Sequence, residues 1–178
     1  GDPSARRAGG RIGAGPAGLA AAYQLRLRGH GVTIFDEHEE LGGMMRYGIP
    51  GFRTPREMLD AEIKRIIDLG VETRLKTRIG SDVTFEQIEK DFDAIFMAMG
   101  AQAGRPLPVP GAEAPNCVTA VAFLRAFNEG RLQHVGNRVV VIGGGDTSID
   151  VATVARRLGN VTKSGTVDER PEAVIAGH

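Results

Sequence analysis

Two glycine-rich turns, each opening a run of small residues, constrain this chain more than any other feature. The first is Gly13-Ala-Gly15-Pro-Ala-Gly18, followed by Leu19-Ala-Ala-Ala. The second is Gly143-Gly-Gly145-Asp-Thr-Ser148, followed by Ile149-Asp-Val-Ala. A G-x-G-x-x-G turn between a strand and a helix is what a dinucleotide phosphate requires. Gly13 permits the tight turn, Gly15 lets backbone approach a pyrophosphate, and Gly18 allows close helix–strand packing. The helix start, from Pro16 and Ala17, supplies N–H groups and a partial positive charge. Asp36 stands after the next strand, where a carboxylate can accept hydrogen bonds from ribose hydroxyls. In the second copy Ser148 replaces the third glycine and stays small enough to pack, while Asp146 and Thr147 add polar groups. Two such loops in one chain point to electron transfer between two dinucleotides, one a flavin and the other a nicotinamide.

The surrounding pattern supplies the elements these turns need. Residues 17–28 are Ala-rich and read as a helix ended by Gly29-His30-Gly31, and Val32–Phe35 reads as a strand. Residues 37–52 read as irregular. Thr54-Pro-Arg-Glu57 reads as a capping box, and Leu59, Ile63, Ile66 and Ile67 share one face of the helix that follows. Val71–Leu75 reads as a strand, and Thr84-Phe-Glu-Gln87 as a second capping box. Asp93–Met99 is a nearly continuous apolar run that suits a buried parallel strand. The Pro/Gly-rich stretch 101–117 reads as a connector, dividing the chain into residues 1–105 and 106–178. Beyond it, 119–128 reads as a helix, Arg138–Ile142 as a strand feeding the second loop, and a further helix runs to about Leu158. The expected class is α/β, with two Rossmann-like dinucleotide-binding domains, both incomplete.

Composition narrows the function. The formal net charge is zero, so no electrostatic footprint for nucleic acid is visible. No apolar run approaches the roughly 20 residues of a membrane span, no signal-peptide pattern opens the chain, and a cytoplasmic location is expected. Cys117 is the only cysteine, which removes a Cys-x-x-Cys redox pair and an iron–sulfur cluster held by this segment alone. It is expected to be a small, semi-buried residue. The four histidines lack metal-ligand spacing and read as surface or turn residues. No catalytic side chain and no metal ligand is expected.

The run Gly13–Ala22, then Val32-Thr-Ile-Phe-Asp36, then Leu41-Gly-Gly-Met-Met-Arg-Tyr-Gly-Ile-Pro-Gly-Phe-Arg-Thr-Pro55, then Gly143–Asp150, resembles one family. It is similar to the small subunit of glutamate synthase and its relatives, which include the flavin half of dihydropyrimidine dehydrogenase and NADH-linked iron–sulfur flavoproteins. The likeness covers about residues 12–160, and its most specific part is the Gly-Gly-x-x-x-Tyr-Gly-Ile-Pro-x-Phe-Arg string. The resemblance implies FAD at the first loop and NADPH or NADH at the second. It implies hydride passage to the flavin, and electrons leaving through iron–sulfur clusters outside this segment or a partner subunit. By position, Ala14–Gly18 would hold the FAD pyrophosphate and Asp36 its ribose. Gly43 and Met44 would lie along the cofactor, Arg53 would contact it, and Ile79 would meet the adenine. Gly143, Gly145, Asp146, Thr147 and Ser148 would face the nicotinamide nucleotide. Asp146 places negative charge near the phosphate, which suits a cosubstrate that must dissociate.

Three features depart from the family pattern. Arg6–Ile12 is poor strand material, so the sequence is expected to be discontinuous at Arg11–Ile12. A second discontinuity is expected at Lys163–Ser164, before Glu169–His178, which fits an exposed insertion. The strand that selects NADH or NADPH is not recognisable. The chain therefore reads as part of a larger oxidoreductase, inactive as an isolated fragment. The alternative is a non-catalytic nucleotide-binding or scaffold fragment of a redox complex.

Overall fold

A computed structural model describes residues 9–161 and residue 175. The chain divides into two compact units, Gly1–Arg46 with Thr54–Gly100, and Tyr47–Arg53 with Ala101–His178. The break thus falls at Gly100, and seven residues from the middle of the first stretch belong with the second unit.

The first unit is a four-stranded sheet in the order β3-β2-β1-β4, formed by β1 (Gly9–Ile12), β2 (Val32–Phe35), β3 (Glu72–Arg74) and β4 (Ile95–Met97). All three pairings are parallel. Parallel neighbours require crossovers, and α1 (Pro16–Leu27) and α3 (Arg56–Ile67) provide two of them. Every residue of the central strand β2 is buried, including Thr33, whose hydroxyl donates to Glu72 at 3.1 Å. Ile34 packs with Leu19 and Ala22 of α1 and with Leu59 and Ile63 of α3. A fully buried aliphatic side chain of this kind contributes about 1.5–3 kcal/mol. The predicted face of α3 is therefore the core face. Its predicted capping box does not form: Pro55 is the N-cap and no side chain caps the helix. The second one does form: Thr84 and Gln87 cap α4 (Phe85–Asp91) reciprocally.

The poor strand sequence before Gly13 nevertheless becomes β1. Its register runs unbroken through Arg11 and Ile12, opposite Ile34 and Phe35 of β2. The position explains this. Gly10 donates to Ala94 O at 2.8 Å, and Gly13 donates to Phe35 O at 2.8 Å, so the segment is bonded on both sides. Tertiary placement here outweighs propensity. The missing side chain at Gly10 is replaced from outside: a Cβ there would lie 2.9 Å from Phe92 Cγ and 3.1 Å from Ile88 Cγ2. The Phe92 ring also meets Phe35 edge-on, 5.7 Å between centroids. The Lys163–Ser164 step lies outside the described residues.

Two predicted strands fare differently. β4 is parallel, yet Phe96, Met97 and Met99 are exposed, because β4 forms the sheet edge among the described residues. Arg138–Ile142 is not a strand at all. A strand exists by pairing, and the second unit offers it no partner strand among the described residues; Val140 is 85% exposed. The second unit's core is instead helical. It comes from α5 (Ala120–Asn128), capped by Thr119, and α6 (Asp146–Val161). Val151, Val154, Ala155 and Leu158 recur at helical spacing and pack on Phe123 and Leu124. Cys117 is exposed and not semi-buried. No helix among the described residues is long and apolar enough to cross a membrane.

The two glycines of β1 separate space from propensity. A Gly10→Val change is expected to destabilise the protein by about 1–3 kcal/mol through overpacking against Phe92. At Gly9 a Cβ meets nothing closer than Ala94 O at 3.7 Å. Gly9→Ala is therefore expected to stabilise by about 0.5–1 kcal/mol. Urea midpoints of the full-length variants check both signs.

Candidate functional site: two glycine loops

In the first loop the three glycines do different work. Gly13 has φ +106°, and a Cβ on it would lie 2.2 Å from Ala98 O, at the end of β4. A Cβ on Gly18 would lie 2.0 Å from Gly13 O. Both positions need glycine because backbone meets backbone. Gly15 differs. Its φ is −74°, which any residue adopts, and a Cβ would meet only Gly43 Cα at 3.8 Å. The described protein atoms give no reason for glycine there. A ligand lying over the start of α1 gives one, since no side chain caps that helix. Pro16 and Ala17 form its first turn. Gly43 faces Gly15 from the other side, with φ +52° and a Cβ position 2.6 Å from Gly15 Cα. Gly42 N–H donates to Ala14 O at 2.9 Å and ties the two turns together. Met44, next in line, opens the short helix α2 (Met44–Tyr47), which falls inside the stretch read as irregular.

Asp36 sits at the end of β2 as expected, with work the sequence did not reveal. Its Oδ2 accepts from Ala14 N–H at 2.7 Å, and its Oδ1 accepts from His38 N–H at 2.9 Å. His38 Nδ1 lies 2.8 Å from the same Oδ1, with both side chains about nine-tenths covered. The carboxylate therefore pins the glycine loop to β2, and His38, read as a surface or turn residue, lies in the bend after β2 with its side chain largely covered. Thr77 N–H donates to Asp36 O at 2.9 Å, which brings the chain leading to Ile79 alongside this strand end. Ile79 is half-buried and pairs with Val83 in an isolated bridge. The first loop, Asp36, Gly43, Met44 and Ile79 thus all belong to the first unit.

The second loop repeats the logic with one exchange. Gly143 has φ +126°, and a Cβ there would lie 2.6 Å from Ser148 Oγ. The serine fills space that Gly143 leaves, so the small residue has moved and the close fit remains. Gly144 and Gly145 have nothing within 4 Å of their Cβ positions. Ser148 and Ile149 donate to Gly145 O at 2.9 and 3.1 Å, which starts α6 at the loop. Asp146 and Thr147 are exposed on its first turn.

Arg53 is not among the residues of the first unit. It ends Tyr47–Arg53, the segment that belongs with the second unit. Asn128, the last residue of α5, donates through Nδ2 to Tyr47 O at 3.0 Å and Ile49 O at 3.2 Å. Arg157 of α6 lies over the Phe52 ring, 3.8 Å from its centroid. Arg53 Nη1 donates to both oxygens of the buried Asp150 at 2.8 Å. That hydrogen bond, then the Asp150 charge, raises the Arg53 pKa above its ordinary value; burial opposes it and Asp146 adds a little. Within the first unit, Arg56 donates to Arg46 O at 2.6 Å and Thr54 O at 3.1 Å, the residues at either end of the segment. Burial, helped by the charge of Arg46, lowers the Arg56 pKa. Asn128, Arg56 and His38 carry no motif signal, because their partners are backbone carbonyls or a carboxylate that residue spacing does not reveal.

These features fit a dinucleotide at each loop, and comparison with known proteins identifies the family. The model described as pyridine nucleotide-disulphide oxidoreductase matches residues 12–174. The chain belongs to this family. Within it, the chain is 46% identical over 151 residues to the NADP(+)-dependent formate dehydrogenase subunit beta of Moorella thermoacetica, covering 83% of this chain and 21% of that protein. It is 39% identical over 165 residues to the glutamate synthase (NADPH) small chain of Mycobacterium tuberculosis, covering 84% of this chain and 33% of that one. The chain thus spans a fifth to a third of the length of these relatives, and the likeness to glutamate synthase small chains holds. Among solved structures, the Mycobacterium tuberculosis oxidoreductase FprA superposes with a TM-score of 0.73 at 23% identity, over 82% of this chain and 35% of that one, which shows the fold.

A Gly18→Ala variant is expected to lose about 3 kcal/mol, the upper end of overpacking, because its new methyl meets backbone. Gly15→Ala is expected to cost no more than about 1 kcal/mol, the difference between glycine and alanine at an N-cap. Equal losses in thermal or urea unfolding would show that Gly15 is a packing glycine after all.

Proposed function

We propose that the chain is the electron-input part of an FAD-dependent NAD(P)H oxidoreductase, with the first unit holding FAD and the second NADPH or NADH. One observation carries this reading: each unit has a glycine loop opening a long helix, with glycines at 15, 144 and 145 that the described protein atoms do not require. The names of the relatives support it, since those from Moorella thermoacetica and Mycobacterium tuberculosis carry NADP(+) and NADPH.

In this reading Gly13–Gly18 and the first turn of α1 hold the FAD pyrophosphate. Asp36 keeps the loop on β2 while facing the ribose, and Ile79 meets the adenine. Gly43 and Met44 line the cofactor, and Arg53 contacts it. Gly143, Gly145, Asp146, Thr147 and Ser148 hold the nicotinamide dinucleotide. When bound, the flavin supplies two-electron acceptance from reduced nicotinamide and release of single electrons to iron–sulfur clusters or a partner subunit. The chain's own residues orient and enclose, and none needs to act as acid or base.

The full-length protein is expected to be yellow and to bleach when NADH or NADPH is added without oxygen. Gly15→Val is expected to abolish flavin retention, because a branched side chain fills the phosphate space. Gly145→Val is expected to keep the flavin and raise the NAD(P)H requirement by at least about tenfold. Flavin that persists in Gly15→Val would overturn the assignment of the first loop. A colourless full-length protein that still binds NAD(P)H would favour a nucleotide-binding scaffold.

A further inference from the structure

The Asp36 carboxylate is a covered acceptor, and most of its lone pairs are taken within the first unit. An ionised carboxylate offers about four acceptor positions, shared between its two oxygens. Oδ2 accepts from Ala14 N–H at 2.7 Å. Oδ1 accepts from His38 N–H at 2.9 Å, and His38 Nδ1 lies 2.8 Å from it. Nδ1 bonds to a carboxylate only when it carries the proton, so the imidazole donates there. His38 alone therefore fills Oδ1, and the remaining acceptor position is on Oδ2. Two ribose hydroxyls need two such positions. The Asp36 side chain is only 9% exposed, so its carboxylate does not turn freely to offer another.

The bend that carries His38 is held by backbone bonds that any residue at this position can make. Asp36 N–H donates to Arg74 O at 3.1 Å, Lys76 N–H to His38 O at 3.0 Å, and Thr77 N–H to Asp36 O at 2.9 Å. The charges beside it are paired with one another, Glu37 with Arg78 and Glu39 with Lys76. What the imidazole adds is control over which oxygen of Asp36 stays available beside the glycine loop.

We propose that His38 is a specificity-determining positioning residue of the first loop: by filling Oδ1 it leaves Asp36 a single hydrogen bond, through Oδ2, for the adenosine ribose of the dinucleotide. This rests on the function proposed above, which puts FAD at this loop. One ribose hydroxyl is then held by the carboxylate and the other is not. The loop reads the sugar of its ligand at one position, where a carboxylate with both oxygens open would read two.

The test strips the full-length protein of flavin and titrates it with FAD and with two analogues, one lacking the 2′-hydroxyl and one the 3′-hydroxyl of the adenosine ribose. Binding is followed by flavin fluorescence in the wild type, His38→Asn and His38→Ala. In the wild type one analogue is expected to bind about tenfold or more weaker than FAD, the loss of one hydrogen bond to a charged group, and the other within about threefold of FAD. His38→Asn, whose amide donates in place of Nδ1, is expected to keep that gap between the analogues. His38→Ala opens Oδ1 and frees the carboxylate to turn, so the gap is expected to narrow to about threefold or less. Analogues that bind alike in the wild type, whether both weakly or both as tightly as FAD, would overturn the inference. So would a gap that survives unchanged in His38→Ala or disappears in His38→Asn. The wild-type comparison decides the matter by itself should His38→Ala fail to fold. A wild-type protein that takes up no FAD would sink the proposed function and this inference together; the analogue outcomes bear on the inference alone.

Discussion

Backbone packed directly on backbone is the constraint on which the first unit depends. Gly18 rests against Gly13 O, and Gly13 rests against Ala98 O, with no side chain between them. This contact joins the start of α1, the end of β1 and the end of β4. Asp36 then fastens the same turn to β2 through Ala14 N–H. The turn is thus held from two sides, by backbone packing and by the Asp36 carboxylate, while no side chain caps the start of α1.

The second unit reaches a similar loop by a different route. No strand of its own stands beside Gly143 among the described residues, and α6 is fixed instead by the apolar seam it shares with α5. The helix thus positions the loop, where in the first unit the sheet does. Tyr47–Arg53 adds to that arrangement: Asn128 satisfies two of its carbonyls, and Pro50 is buried beneath it.

Much of this was legible in the sequence, and the parts that were not have physical reasons. Helices were readable because apolar spacing records the buried face directly, as with Leu59, Ile63 and Ile66. The glycine loops were readable because φ and close approach restrict the residue type. Strand β1 was misjudged because pairing on both sides, with Phe92 filling the space above Gly10, supplied what its own side chains lacked. Arg138–Ile142 failed in the opposite sense, having strand composition and no partner strand among the described residues. The Thr54 box failed because Pro55 took the cap, and Thr54 gave its carbonyl to Arg56. Asp36 was correctly placed, yet its bond to Ala14 could not be read from spacing. The roles of Asn128 and Asp150 depend on partners roughly 80 to 100 positions away in the chain.

Because Tyr47–Arg53 belongs with the second unit, the chain passes from one unit to the other three times, after Arg46, Arg53 and Gly100. This has a consequence for modular exchange. A hybrid enzyme spliced only at Gly100 would give the incoming second unit a foreign heptapeptide, leaving Asp150 and Asn128 to pair with groups they were not selected beside. Units of this fold are transplanted intact only when the seven residues travel with them. Recombination between relatives therefore has two viable designs. Either the whole chain moves as a cassette, or three crossovers occur in step.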